Sequence, residues 1–156
     1  MGCQTRPWPS SARAGLPLSL CYNDDVPAFV GVPASILIVD DDEGVSHAFA
    51  RMLRMEGFRV RTAMNAEMGL LEAKTSRPDA IILDLRMPLI DGLGFLRRLR
   101  ATARQRHTPV AIVTGDLFLD GDVTAELTRL GAQVRYKPLW LDDLVGLARS
   151  LVKVSH

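Results

Sequence analysis

The sequence is short of the features that mark secreted, membrane-spanning and nucleic-acid-binding proteins. Only two of its 156 residues are cysteines, Cys3 and Cys21, so neither a disulfide framework nor a cysteine metal site is predicted. No apolar run approaches the roughly 20 residues that a membrane-spanning helix needs. With 19 basic and 18 acidic residues, the overall charge favours neither a nucleic acid nor a membrane surface as a partner. These absences predict a cytoplasmic protein.

The first 33 residues lack the periodicity of a helix or a strand. We therefore predict that residues 1–33 are a flexible N-terminal extension, or lie upstream of the true start, and that residues 34–156 form one domain. Docking of this extension on another surface stays open because it contains aromatic residues. The prolines of this segment are Pro7, Pro9, Pro17, Pro27 and Pro33, and its aromatic residues are Trp8, Tyr22 and Phe29.

From Ser35 onward, short apolar segments alternate with segments of helical spacing. Strands are predicted at 35–40, 58–63, 80–83, 109–113 and 134–136, with a helix after each, the last one covering about 141–152. The alternation predicts an α/β fold in which a five-stranded parallel sheet is doubly wound, as (βα)5, with helices on both faces. Because the chain ends soon after the fifth helix, no output domain is expected to follow.

Four of the predicted strands end abruptly in polar residues. Asp40, Asp41 and Asp42 follow the first strand, Asp84 the third, Thr114 the fourth and Lys137 the fifth. In an open parallel sheet these carboxyl ends lie side by side, where ligands bind. Carboxylates attract a hard dication such as Mg²⁺, and a hydroxyl and an ammonium group can bind phosphoryl oxygens. The pattern therefore predicts a site that places phosphate on an aspartate.

Each of these residues also has a simpler interpretation. One of the three consecutive aspartates is expected to cap the following helix, and a lone Asp84 could begin a turn. A lysine is usually a solvated surface residue, but Lys137 ends an apolar strand and precedes Pro138, which restricts its backbone. Gly115, after Thr114, leaves the space that a bound phosphoryl group requires. The shared position of these residues at strand ends favours the functional interpretation.

Together, the acidic cluster, Asp84-Leu85-Arg86-Met87-Pro88, Asp91-Gly92, Thr114-Gly115 and Lys137-Pro138 resemble the receiver domain of two-component response regulators. The resemblance covers residues 35 to about 153 and implies a flavodoxin-like, CheY-like fold. It implies that Asp84 is the phosphoacceptor, and that Thr114 and Lys137 contact the phosphoryl oxygens. It also implies that Asp40, Asp41, Asp84 and the Arg86 backbone carbonyl hold Mg²⁺, or Mn²⁺ in its place. A cis peptide bond before Pro138 is frequent in the family.

The implied partners are a sensor histidine kinase or a histidine phosphotransfer protein, and an unknown downstream protein. The chain would not be an enzyme in the usual sense, although it would assist its own phosphotransfer and dephosphorylation. None of its histidines, His47, His107 and His156, lies in a phosphotransfer motif, so the donor must be another molecule. The surface formed by the fourth helix, fifth strand and fifth helix is expected to be read by the partner.

One position departs from the family pattern. The aromatic residue usual three places before the lysine is replaced by Val134, and the nearest aromatic residue is Tyr136. Valine has no ring to move, so the usual aromatic switch is not expected to work here.

Two other functions are compatible with parts of the pattern. One is a phosphorylation-independent scaffold with the same fold. The other is a haloacid-dehalogenase-like phosphatase with Asp40 as its nucleophile, which would leave Asp84 and the Met87-Pro88 turn without a role.

Overall fold

The computed structural model describes residues 32–155, with side chains described for residues 32–153. All but the last two residues of the predicted N-terminal extension therefore lie outside the described residues. Within the described part, no helix combines the length and apolar character needed to cross a bilayer.

Five strands and five helices alternate along the described part of the chain, as the sequence predicts. The strands are β1 (Ser35–Val39), β2 (Arg59–Ala63), β3 (Ala80–Asp84), β4 (Val110–Thr114) and β5 (Gln133–Tyr136). The helices are α1 (Glu43–Met55), α2 (Ala66–Ser76), α3 (Gly92–Ala101), α4 (Gly121–Arg129) and α5 (Leu141–Ser155). Most boundaries differ from the predicted ones by one residue. For example, β4 begins after Pro109, which has no N–H to donate to the ladder.

Side-chain oxygens cap the N-termini of four of the helices. The carboxylate of Asp42 accepts the N–H of Val45 at the start of α1, so one of the three consecutive aspartates is indeed a cap. Asn65, Asp91 and Asp120 play the same part for α2, α3 and α4. Such caps can be predicted from a sequence, because the capping side chain lies only two or three residues before the backbone N–H that it accepts.

All strand pairs are parallel, and the strands lie in the order β2-β1-β3-β4-β5. After β1 the chain moves outward to β2, and it then returns to the other side of β1 to form β3. The crevice at the carboxyl ends of β1 and β3 is therefore the topological switch point, where open α/β sheets bind their ligands.

The sheet separates two apolar clusters, one on each face. Strands β3 and β4 are buried along their whole length, which explains their continuous apolar sequences. On one face, α1 and α5 supply Phe49, Leu53, Leu144, Leu147 and Leu151. On the other face, α2, α3 and α4 supply Ala73, Phe95, Leu96, Leu99 and Leu127. The packed sheet fixes the strand ends that carry the candidate site.

Candidate functional site

Three carboxylates meet at the switch point. Asp40 and Asp41 follow β1 and Asp84 ends β3, and one oxygen of each lies within 4.8 Å of the other two. Asp40 and Asp84 are 4% and 6% exposed, whereas Asp41 is open to solvent. The structure thus brings together two of the three consecutive aspartates with the predicted acceptor.

Asp40 is held in place by its neighbours in the chain and in the sheet. Its backbone N–H donates to the carbonyl of Ala63 at 3.1 Å, and its own carbonyl accepts the Ser46 hydroxyl at 3.2 Å. Its Oδ1 accepts the N–H of Asp42 at 2.9 Å. These bonds leave Oδ2 of Asp40 free to accept from the fourth member of the site, Lys137.

The Lys137 ammonium bridges the two buried carboxylates. Its Nζ lies 3.1 Å from Oδ2 of Asp40 and 3.4 Å from Oδ1 of Asp84. The backbone N–H of Lys137 donates to the Thr114 carbonyl at 2.8 Å, which ties the end of β5 to the end of β4. The peptide bond between Lys137 and Pro138 is cis, as the resemblance implies.

The charges in this site are not balanced. Burial, followed by the negative charge of Asp40, raises the pKa of Asp84, and the attraction of Lys137 offsets only part of this effect. Burial alone would lower the pKa of Lys137, but its bonds to Asp40 and Asp84 outweigh burial and raise it. The ammonium therefore stays charged, and a single positive charge faces three carboxylates.

This donor set fits a hard dication. Carboxylate oxygens are the ligands that Mg²⁺ and Mn²⁺ prefer, and a dication would neutralise the excess negative charge around Asp84. Arg86 lies in the loop after β3, two residues beyond Asp84, and its exposed side chain turns to Asp116.

Thr114 is fully buried at the end of β4, next to β3 in the sheet. Its hydroxyl accepts the backbone N–H of Asp116 at 3.1 Å, so it is bonded to the loop that follows. A Cβ atom at Gly115 would meet no atom within 4 Å. The space where a side chain at position 115 would lie is therefore open.

Steric constraints explain why glycine follows Asp91. A Cβ atom at Gly92 would lie 2.6 Å from the carbonyl oxygen of Asp84 and 2.9 Å from Cα of Leu85, so only glycine fits. The Gly92 N–H donates to the Leu85 carbonyl at 2.8 Å. This close approach places the start of α3 against the strand end that carries Asp84.

Asp116 is a member of the site region that the sequence does not reveal. It forms an ion pair with Arg86, and the hydrogen bond from Arg86 holds the pKa of the Asp116 carboxyl below its usual value. The same carboxylate accepts the N–H of Phe118 at 3.0 Å. No local pattern predicts this pair, because its partners lie on two loops that only the folded sheet brings together.

Val134 and Tyr136 lie on the same face of β5. Val134 is in register with Ile112 and packs on the core, whereas Tyr136 is in register with Thr114 and is 43% exposed. Position 134 thus offers a small, packed side chain instead of a mobile ring. Trp140 is also exposed, at 72%.

The comparisons with known proteins agree on one family. The family model described as "Response regulator receiver domain" matches residues 36–146. The chain is 36% identical over 118 residues to transcriptional regulatory protein PrrA of Mycobacterium tuberculosis, a match covering 76% of this chain and 49% of PrrA. It is 33% identical over 122 residues to response regulator MprA of Mycolicibacterium vanbaalenii, covering 78% and 52%. The chain spans about half the length of these curated relatives.

Solved structures agree in fold. The chemotaxis protein CheY4 of Vibrio cholerae superposes with a TM-score of 0.71 at 26% identity, covering 76% of this chain and 98% of CheY4. A response regulator receiver protein of Pseudomonas putida gives a TM-score of 0.71 at 28% identity, covering 78% and 99%.

Proposed function

Because this chain belongs to the response regulator receiver family of two-component signalling, we propose that Asp84 accepts a phosphoryl group from a sensor histidine kinase or a histidine phosphotransfer protein. The observation that carries this proposal is the meeting of Asp40, Asp41 and Asp84, with Lys137 bonded to two of them. Three carboxylates around one ammonium form a site for a dication and a phosphoryl group together.

The proposed step needs no proton from the acceptor. A carboxylate oxygen of Asp84 attacks phosphorus, the P–N bond of a donor phosphohistidine breaks, and the imidazole leaves with the bonding electron pair. Lys137 would transfer one of its contacts from Asp84 to a phosphoryl oxygen, and the Thr114 hydroxyl would donate to another. Lys137 already lies 3.4 Å from Asp84, and Thr114 ends β4, the strand that pairs with β3.

Asp40, Asp41, Asp84 and the Arg86 backbone carbonyl would hold Mg²⁺, with Mn²⁺ as a substitute. When bound, the dication supplies the positive charge that offsets the phosphoryl oxygens.

Receiver domains are signalling proteins rather than enzymes in the usual sense. We propose that this one assists its own phosphotransfer and dephosphorylation in the cytoplasm, and passes the signal to a protein that contacts α4, β5 and α5. Relatives such as PrrA are named transcriptional regulatory proteins and are about twice as long as the matched region.

Acetyl phosphate, a small phosphodonor, tests the acceptor directly. With Mg²⁺, intact-mass spectrometry should show one added phosphate on the wild type and on an Asp142→Asn control, whose carboxylate lies exposed on α5. Asp84→Asn should show none, and chelation of the metal by EDTA should prevent labelling of the wild type. If Asp84→Asn is labelled while Asp40→Asn is not, Asp40 is the nucleophile and the phosphatase-like function replaces the proposed one.

A further inference from the structure

A second cleft lies at the opposite end of the sheet from Asp84, beside the starts of β4 and β5. It encloses about 380 Å³ and is lined by cationic side chains and by apolar ones, with no carboxylate among them. Arg100, Arg106, Arg129 and His107 are on its polar side, and Val110 and Leu130 on its apolar side. Its volume falls in the range of sites for small ligands, roughly 300–1,000 Å³.

Arg100 is built rigidly into this cleft. Its Nε donates to the Leu130 carbonyl at 2.8 Å, and its Nη1 donates to the carbonyls of Thr108 at 2.7 Å and Gln105 at 3.3 Å. Its Nη2 has no acceptor within residues 32–153, and it lies 4.0 Å from where a Cβ atom of Gly131 would be. Since Gly131 also lines the cleft, these fixed N–H groups are available to a ligand there.

The charge of Arg100 has no carboxylate partner in the described part of the chain. Burial holds the pKa of its guanidinium below its usual value, but an arginine remains charged at neutral pH. Because only backbone carbonyl dipoles compensate the half-buried charge of Arg100, the binding of an anion beside it is favourable.

The surrounding chain strengthens this positive field. Residues 97–107 contain five arginines and no acidic residue. Glu126 offsets part of this charge, because its carboxylate pairs with Arg97 at 2.5 Å and lies 3.7 Å from Arg129. Arg106 lines the cleft and forms no ion pair with any residue the structure describes. A concave surface lined by one sign of charge concentrates oppositely charged ligands.

We propose that this cleft binds a phosphorylated ligand of nucleotide size, whose phosphates contact Arg100 Nη2 and Arg106 and whose apolar part packs on the partly buried Leu130. Arginine suits phosphate because its planar fork can donate two parallel hydrogen bonds to it. The proposal does not depend on phosphorylation of Asp84.

Calorimetric titration of the full chain with pyrophosphate and with ADP tests whether the cleft binds phosphorylated ligands. Mg²⁺ is left out so that the acidic site does not recruit the phosphates. Both probes should bind saturably, ADP more tightly, and both should shift backbone NMR signals of residues 106–110 and 129–133. Asp84→Asn should bind both probes as the wild type does.

Arg106→Gln should weaken binding by about tenfold or more, the factor expected on losing a charge-assisted hydrogen bond. Arg104→Gln is the matched control, because it removes the same charge from the same loop outside the cleft lining. It should weaken binding by less than about threefold, as expected for a screened surface charge. The melting temperature of each variant shows that it is folded.

Several results would overturn the proposal. Absence of saturable binding at millimolar probe would show that Arg100 only ties its loops together. Equal losses in Arg104→Gln and Arg106→Gln would indicate diffuse attraction without a site. ADP binding weaker than that of pyrophosphate would exclude a nucleotide-sized ligand, and duplex DNA binding that ADP does not displace would assign the surface to a nucleic acid.

Discussion

At the residue scale, the carboxylate site opposes folding when no cation is bound. Asp84 has a raised pKa because it is buried and lies beside Asp40, so its ionised form is less favourable in the folded chain than in the unfolded one. Lys137 moderates this repulsion through its contacts with both carboxylates. The residues around Asp84 therefore leave part of its negative charge uncompensated.

Asp84→Asn should raise the free energy of unfolding of the metal-free protein at pH 7. A carboxyl whose folded pKa lies above its unfolded value destabilises the folded state at pH above the raised pKa, and this effect disappears as the pH falls through that value. The gain should therefore shrink toward low pH. Lys137 keeps its bond to Asp40 in the variant. Urea unfolding in EDTA across the acid range measures the effect, with Asp142→Asn as control. A variant less stable than wild type at pH 7 would show that the Lys137 contact outweighs burial.

Lys137→Ala should weaken the response to a phosphoryl mimic more than it weakens labelling of Asp84. The lysine acts by pairing with the bound group, and a charge-assisted contact of this type is typically worth about 1.5–3 kcal/mol. The stabilisation produced by beryllofluoride with Mg²⁺ should fall by about that amount relative to wild type. Lys74→Ala, on the exposed side of α2, serves as the matched control. Equal stabilisation of all three proteins would rule out the proposed role.

At the element scale, a chain of hydrogen bonds joins Thr114 to the loop before α4. The Thr114 hydroxyl accepts the N–H of Asp116, and the Asp116 carboxylate accepts the N–H of Phe118 and pairs with Arg86. Phe118 is 91% exposed. If Thr114 turns its hydroxyl toward a phosphoryl group, the loop loses its bond to the strand end, so the loop can take the place of the missing aromatic switch.

We expect beryllofluoride to change hydrogen exchange in residues 115–120 of the wild type, and Val134→Ala and Tyr136→Ala to preserve that change. Val134 is a small packed side chain, and Tyr136 is partly exposed on the same face of β5. Thr114→Val, which removes the hydroxyl while keeping the shape, should abolish the change. Loss of the change in Tyr136→Ala alone would identify Tyr136 as a displaced aromatic switch.

The elements that the sequence predicts are those set by neighbouring residues. Strands of continuous apolar residues, a helix cap among the three consecutive aspartates, and the polar strand ends all follow from local pattern. The parallel order of the strands then brings the strand ends together. The Arg86–Asp116 pair and the bonds of Arg100 to three carbonyls are not predictable in this way. They depend on how closely loops approach one another across the sheet, which periodicity does not encode.

At the scale of the whole molecule, the two ends of one sheet carry opposite charge. The three carboxylates of Asp40, Asp41 and Asp84 lie at the carboxyl ends of β1 and β3. The cleft lined by Arg100 and Arg106 lies beside the starts of β4 and β5. The sequence has 19 basic and 18 acidic residues, so its overall charge is close to zero. Two regions of the surface nevertheless have local electrostatic potentials of opposite sign. The two charged regions lie at opposite ends of the packed sheet, so the ligands proposed for them would not compete for the same residues.

Removal of residues 1–31 should leave both folding and phosphorylation of Asp84 unchanged. The apolar clusters that the structure describes on the two sheet faces involve residues from Ile36 to Val152, and the acidic site is built from Asp40 onward. The melting temperature of the truncated protein should stay within about 2 °C of the full chain, corresponding to less than about 1 kcal/mol. Labelling by acetyl phosphate should proceed at the same rate. A deletion of residues 1–37 is the control, because it also removes the first three of the five residues of β1 and should prevent folding. A much lower melting temperature after the shorter deletion would contradict the expectation, and would indicate that Trp8, Tyr22 or Phe29 contributes to the stability of the domain.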